Sequence, residues 1–240
     1  MRGTAGRLWL VALAVVIAAS AATYAVTRPA SRAPSPLALD GDGTGDPAVV
    51  RDRKGRTIIS NLRTIEDRVL YGGSAFPTSF SGPGGRREYA DQTAFDFLRK
   101  RNVRHVVALM DDADAYYAED GYLRYWSEQT GFRIGTTWVP IDLATPFSRD
   151  DRGGLRAAGI LISLMRENVA GGGAVYVHDP EGGAHVGVAA AGYELWRNRG
   201  WADFDATWPL VERRFRAGGN AGDVESLRTI RDALRFVIEL

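Results

Sequence analysis

The chain has 240 residues, 45% of them hydrophobic and 25% charged, which suits one globular domain with an appended segment. With 30 Lys+Arg against 29 Asp+Glu the net charge is +1, so no broad field favours nucleic acid, and no nucleic-acid partner is expected. Cysteine is absent, which excludes disulfides, thiolate metal sites and any thiol nucleophile.

After Arg2 and Arg7 an uncharged apolar run extends from Leu8 to Thr27, roughly long enough to cross a ~30 Å hydrocarbon core as a helix. Residues 1–27 therefore read as a signal anchor reaching into the membrane. The alternative is a cleaved signal peptide, for which the small residues Ala18 to Ala22 supply processing sites. Both readings export the remainder, giving a membrane-anchored extracytoplasmic domain or a secreted one. Residues 28–46, rich in Pro, Ala, Ser, Gly and Asp, form a linker too polar to bury a core.

The folded domain is expected over 47–240. Short runs rich in β-branched residues predict strands at Thr57 to Ser60, Arg68 to Tyr71, Val103 to Met110, Arg133 to Val139 and Ala174 to His178. Helices are predicted from an Asp91 cap to Arg101, from an Asp114 cap to Gln129 and from a Ser148 cap to Asn168. Three more follow at Val186 to Arg199, Asp203 to Arg216 and Asp223 to Glu239. This alternation predicts an α/β fold, a mostly parallel central sheet flanked by helices, with ligand sites at the C-terminal ends of strands.

The segment from Ala174 through Val-Tyr-Val to His178, Asp179, Pro180, Glu181, Gly182, Gly183, Ala184, His185, Val186 and Gly187 reads strand, glycine loop, helix. Such an arrangement turns successive backbone N–H groups and a helix N-terminus into one concavity, which is how folds cradle an anion.

This segment resembles the signature of the cysteine-dependent tyrosine/dual-specificity phosphatase superfamily. That signature is a strand ending in His-Cys, five residues with a central glycine, then Arg, Ser or Thr, and Gly before an apolar helix. His178, Gly182 and Gly187 match its frame. Asp179 stands at the cysteine position, His185 at the arginine position and Val186 at the hydroxyl position. Val69 to Pro77 is similar to an early strand and turn of the family, and Val139-Pro-Ile-Asp142 to its general-acid loop. Gly200-Trp201 through Glu212 resembles the helical segment that follows the signature helix.

The resemblance implies thiolate attack on phosphorus, an arginine clamp on the phosphoryl oxygens and an aspartic acid that protonates the leaving group. Here the first two are missing. A phosphate dianion about 4 Å from Asp179 meets a repulsion on the order of 4 kcal/mol per unit charge at an effective dielectric near 20. The expectation is a degenerate, catalytically inactive member in which the Asp179 carboxylate itself fills the loop. Its partner is a protein or an anionic ligand at the loop, and no cofactor or metal is expected. Two other readings stay open: a metal-assisted phosphohydrolase using Asp179 and Asp142, and a structural module of the cell envelope. His105, set in an apolar strand pattern, reads as a satisfied core or edge histidine, and the Tyr116 to Trp126 aromatics mainly as helix packing.

Overall fold

A computed structural model describes residues 48–81, 87–89, 91–141, 152–167, 171–220 and 224–239. The expected apolar span and linker, together with Asp142 and the Ser148 cap, lie outside the described residues. Among the described residues no helix is long and apolar enough to cross a membrane.

Among the described residues eight strands occur, in chain order β1 (Ala48–Arg51), β2 (Thr57–Glu66), β3 (Leu70–Ser74), β4 (Ser79–Ser81), β5 (Arg87–Tyr89), β6 (Val103–Leu109), β7 (Gly135–Val139) and β8 (Ala174–Asp179). The helices are α1 (Thr93–Lys100), α2 (Ala113–Thr130), α3 (Arg152–Arg166), α4 (Ala184–Asn198), α5 (Phe204–Phe215), α6 (Val224–Thr229) and α7 (Arg231–Glu239). A six-stranded sheet runs β1-β2-β3-β8-β6-β7, and β4 with β5 forms a separate two-stranded ribbon.

The sheet is mixed, which corrects the expectation of a mostly parallel one. β3, β8, β6 and β7 pair in parallel, whereas β1 with β2 and β2 with β3 are antiparallel. The cause is connection length: a few residues separate β1 from β2 and β2 from β3, and turns that short only reverse the chain. The parallel strands are instead joined through helices, as a crossover requires.

β8 is buried along its whole length, and its side chains alternate between two cores. Ala174 and Tyr176 join Val106, Phe95, Leu98, Tyr122 and Leu123 beneath α1 and α2. Val175 and Val177 join Val107, Leu109, Leu161, Val186 and Ala189 beneath α3 and α4. A third cluster, including Val188, Leu195, Val211, Leu227 and Leu234, packs α5 to α7 onto the outer side of α4. The signature segment thus springs from the central, doubly covered strand, where the backbone has the least freedom.

Several element ends differ from the sequence expectation. α2 is capped by Asp112, whose side chain accepts from the Asp114 and Ala115 amides, so the helix starts before Asp114. Gln92 stands at the start of α1, while Asp91 accepts from the Thr93 amide. The C-terminal segment expected as one helix is two. Ile230, buried between them, donates its amide to Leu227 O at 3.3 Å, a tightened turn that redirects the chain. α4 begins at Ala184 rather than Val186, which puts His185 in its first turn. His105 is buried, with Nε2 2.8 Å from Thr137 Oγ1, and burial lowers its pKa. Of the α2 aromatics, Tyr122 is fully buried, whereas Tyr117 and Tyr125 are exposed.

Candidate functional site

β8 ends at Asp179, beside Ser74 of β3, and the chain then turns through Pro180, Glu181, Gly182 and Gly183 into α4. The Ala75 amide donates to Asp179 O at 2.8 Å, tying the start of the turn to the strand beside it. Pro180 and Glu181 are exposed, and Gly182 is buried.

The Asp179 carboxylate folds back into this turn and is itself 3% exposed. Its Oδ1 accepts the amides of Glu181 at 2.9 Å, Gly182 at 2.5 Å and Gly183 at 3.0 Å. Its Oδ2 accepts the Gly183 amide at 3.1 Å and the Val186 amide at 3.4 Å. Gly183 is the N-cap residue of α4 and has no side chain to cap it, so Asp179 supplies the capping oxygen from four residues upstream. A negative charge at a helix N-terminus is also favoured by the helix dipole. The amides that could cradle an external anion therefore already hold one, and this one is covalently part of the loop.

The turn is held from behind by β2. Arg63 Nη2 donates to Gly182 O at 2.9 Å, and Asn61 Nδ2 donates to Glu181 O at 2.7 Å. Arg63 is 5% exposed; burial pulls its guanidinium below the ordinary value, and the charge on Asp179 pulls the other way. Gly182 has φ +72°, and a Cβ there would lie 2.6 Å from Gly73 C and from Ser74 N. Both its conformation and its contact with β3 thus require glycine.

Arg63 and Asn61 were not singled out by sequence reasoning, which ended the strand at Ser60. Period two does not reveal them: Asn61 has φ +50° and the β1–β2 register shifts around it, so Ile59 and Ile65 pack in opposite cores.

His178 is fully buried, and its Nε2 lies 2.9 Å from Glu119 Oε1 of α2, itself 1% exposed. Its Nδ1 has no hydrogen-bond partner among the described residues. Tyr176 stacks beside His178 and donates to Ser74 O at 2.6 Å. Burial raises the Tyr176 pKa well above the ordinary value, with Glu119 and Asp179 adding to the effect. Glu119 was also missed in sequence; it precedes Tyr122 and Leu123 by helical spacing and so falls on the apolar stripe of α2.

His185 is buried in the first turn of α4, and Gly187 donates its amide to Gly183 O at 3.1 Å. Gly187 also lines a water-sized cavity of about 20 Å³ with Arg63, Glu194 and Arg214. There the buried Arg214 Nε lies 3.2 Å from Glu194 Oε1. Burial pushes the Glu194 carboxyl up to about 7, and Arg214 opposes the shift.

Among the described residues no group of three His, Cys, Asp or Glu side chains could hold a metal ion. The loop residues His178 to Gly187 are brought together as one turn, while Asp142 lies outside the described residues.

No family model matches the chain, and no curated protein matches it in sequence. Among solved structures it is similar to P. aeruginosa TpbA at TM-score 0.46 and 19% identity, covering 82% of this chain and 98% of that one. It is similar to the Cydia pomonella PTP-2 phosphatase at TM-score 0.39 and 17% identity, covering 69% of this chain and 86% of that one. It is also similar to human tyrosine phosphatase-like serine/threonine/tyrosine-interacting protein at TM-score 0.38 and 15% identity, covering 72% and 96% of the two chains. All three are tyrosine or dual-specificity phosphatase-like structures.

Proposed function

We propose that this protein is a phosphatase-like pseudoenzyme, a domain that keeps the superfamily's loop frame, does not hydrolyse phosphate esters, and works by binding. The observation that carries this reading is the occupancy of the loop amides by the Asp179 carboxylate. A carboxylate so engaged has its lone pairs committed to N–H donors and is a poor nucleophile. The position where a signature arginine would stand holds His185, buried in the first helical turn.

Binding is assigned to the outer rim of the same loop. Pro180 and Glu181 are exposed there on a turn fixed by Asn61, Arg63 and Asp179, so a protein partner or an anionic ligand meets a preformed surface. The apolar segment 8–27 supports a location outside the cytoplasmic membrane for this domain, anchored if the segment is retained and secreted if it is cleaved.

The test is hydrolysis of an aryl phosphate by the full-length chain, with and without divalent metals, beside Asp179→Asn. The expected result is no turnover under any condition. Turnover that disappears in Asp179→Asn would overturn the reading and make Asp179 a nucleophile or metal ligand.

A further inference from the structure

A second polar feature lies at the opposite end of the parallel strands. β8 runs from Ala174 to Asp179, and Ala174 pairs with Val103 at the start of β6. That end is roughly 17 Å along the strand from the Asp179 turn, at ~3.3 Å per residue. A groove of about 450 Å³ opens there, lined by Arg99, Lys100, Arg104, Thr130, Gly131 and Phe132.

Its charge is poorly neutralised. Arg99 pairs with Asp96 at 3.1 Å, but among the described residues Lys100 and Arg104 form no ion pair, nor do Arg101 and Arg133 on either side. The nearby acids are engaged or separate: Asp120 is held by Arg124 and Thr136, and Glu128 lines the adjoining groove beyond Gly131. α1 and α2 both end at this groove, and each C-terminus carries about half a negative charge. Together they offset only about one of these positive charges. Complementing helix ends therefore leaves most of the excess unexplained.

Arg104 is also held in place, unlike an ordinary solvated arginine. Its guanidinium lies 3.7 Å over the Phe132 ring; Nε donates to Asn102 Oδ1 at 3.4 Å and Nη1 to Arg133 O at 3.5 Å. A Cβ at Gly173 would sit 2.1 Å from Arg104 Cγ, so the glycine makes room for the arginine's stem. Asn102 adopts φ +54° beside it. An immobilised planar fork next to a free ammonium group is suited to a phosphate group, which takes two parallel N–H donors and a point charge.

We propose that this groove is a binding site for a phosphate-bearing ligand, with Arg104 as the oriented donor and Lys100 as the charge partner. The phosphate is either free or part of an anionic lipid headgroup.

The test is calorimetric titration of the full-length chain in neutral detergent with inorganic pyrophosphate and with dihexanoylphosphatidylglycerol, dihexanoylphosphatidylcholine serving as the zwitterionic control. At least one anionic probe should bind with a dissociation constant of about 1 mM or below. Arg104→Gln should weaken it about tenfold, and Lys100→Gln, at an exposed position that keeps the fold, about threefold. Tighter binding of pyrophosphate assigns the site to free phosphates, and tighter binding of phosphatidylglycerol assigns it to headgroups. The proposal is overturned if neither probe binds at about 10 mM, or if Lys100→Gln leaves the affinity unchanged.

Discussion

Arg63 and Asp179 grip the same residue from two sides: the arginine takes the Gly182 carbonyl at 2.9 Å, and the carboxylate takes the Gly182 amide at 2.5 Å. Neither contact alone would fix a turn that connects the central strand to a helix. Together they clamp it between β2 and its own first residue, with opposite charges placed so that each lowers the cost of burying the other.

Asp179→Ala removes the acceptor for four backbone amides in a buried turn. Hydrogen bonds to a charged group contribute about 1.5–3 kcal/mol each in isolation but share one carboxylate here, so a loss of about 3 kcal/mol is expected. Urea denaturation of the variant beside wild type measures it. A variant as stable as wild type would remove the tethered-anion account of the loop.

Arg63→Met leaves the Gly182 carbonyl without its donor and the Asp179 charge without its counter-charge. The expected cost is about 3 kcal/mol. Because the two residues act on one turn, the double variant with Asp179→Ala should be less destabilised than the sum of the singles by at least about 1 kcal/mol. Additive costs would mean that Arg63 and Asp179 act independently.

Gly182→Ala forces a side chain into a left-handed conformation and against the β3 backbone. The strain and the clash together should cost at least about 3 kcal/mol, read as a lowered thermal midpoint. Gly131→Ala, where φ is also positive but the added methyl meets open space, is the matched control and should cost only about 1 kcal/mol.

Glu194 gives the fold a pH dependence. Burial pushes its carboxyl up to about 7 in the folded protein from an ordinary 4.5, so between these the native state holds a proton that the unfolded chain has released. The stabilising contribution is complete below about 4.5, declines as pH rises and is gone above about 7, a swing on the order of 3 kcal/mol. Denaturation midpoints from pH 5 to 8 should fall more steeply in wild type than in Glu194→Gln. Parallel curves for the two proteins would show that Glu194 does not titrate in this range.

The loop was legible in the sequence because its parts are contiguous. A β-branched run, a proline, paired glycines and an apolar helix lie within Ala174 to Ala190, and local pattern is enough to read strand, turn and helix. What holds the loop was not legible. Asn61 and Arg63 break the apolar alternation of β2 and look like the end of a strand, yet the strand continues to Glu66 because their polar groups find partners on the turn. Glu119 carries no local signal of a partner, since the His178 it meets lies 59 residues further along the chain. The antiparallel side of the sheet was legible only in part: strands were expected at Thr57 to Ser60 and Arg68 to Tyr71, but the four-residue β1 was not, and local pattern does not show in which direction strands pair.

The carboxylate in the turn has one property that no diffusible ligand shares. Carried on the same few residues as its amides, it is present at an effective concentration fixed by chain geometry, of millimolar order or higher, whatever the dilution of the protein. The turn is therefore ordered from the moment the domain folds, in any compartment and at any phosphate level. A phosphate ester would have to displace a tethered occupant before touching those amides. The outer face of the turn therefore keeps a shape that does not depend on the supply of any anion.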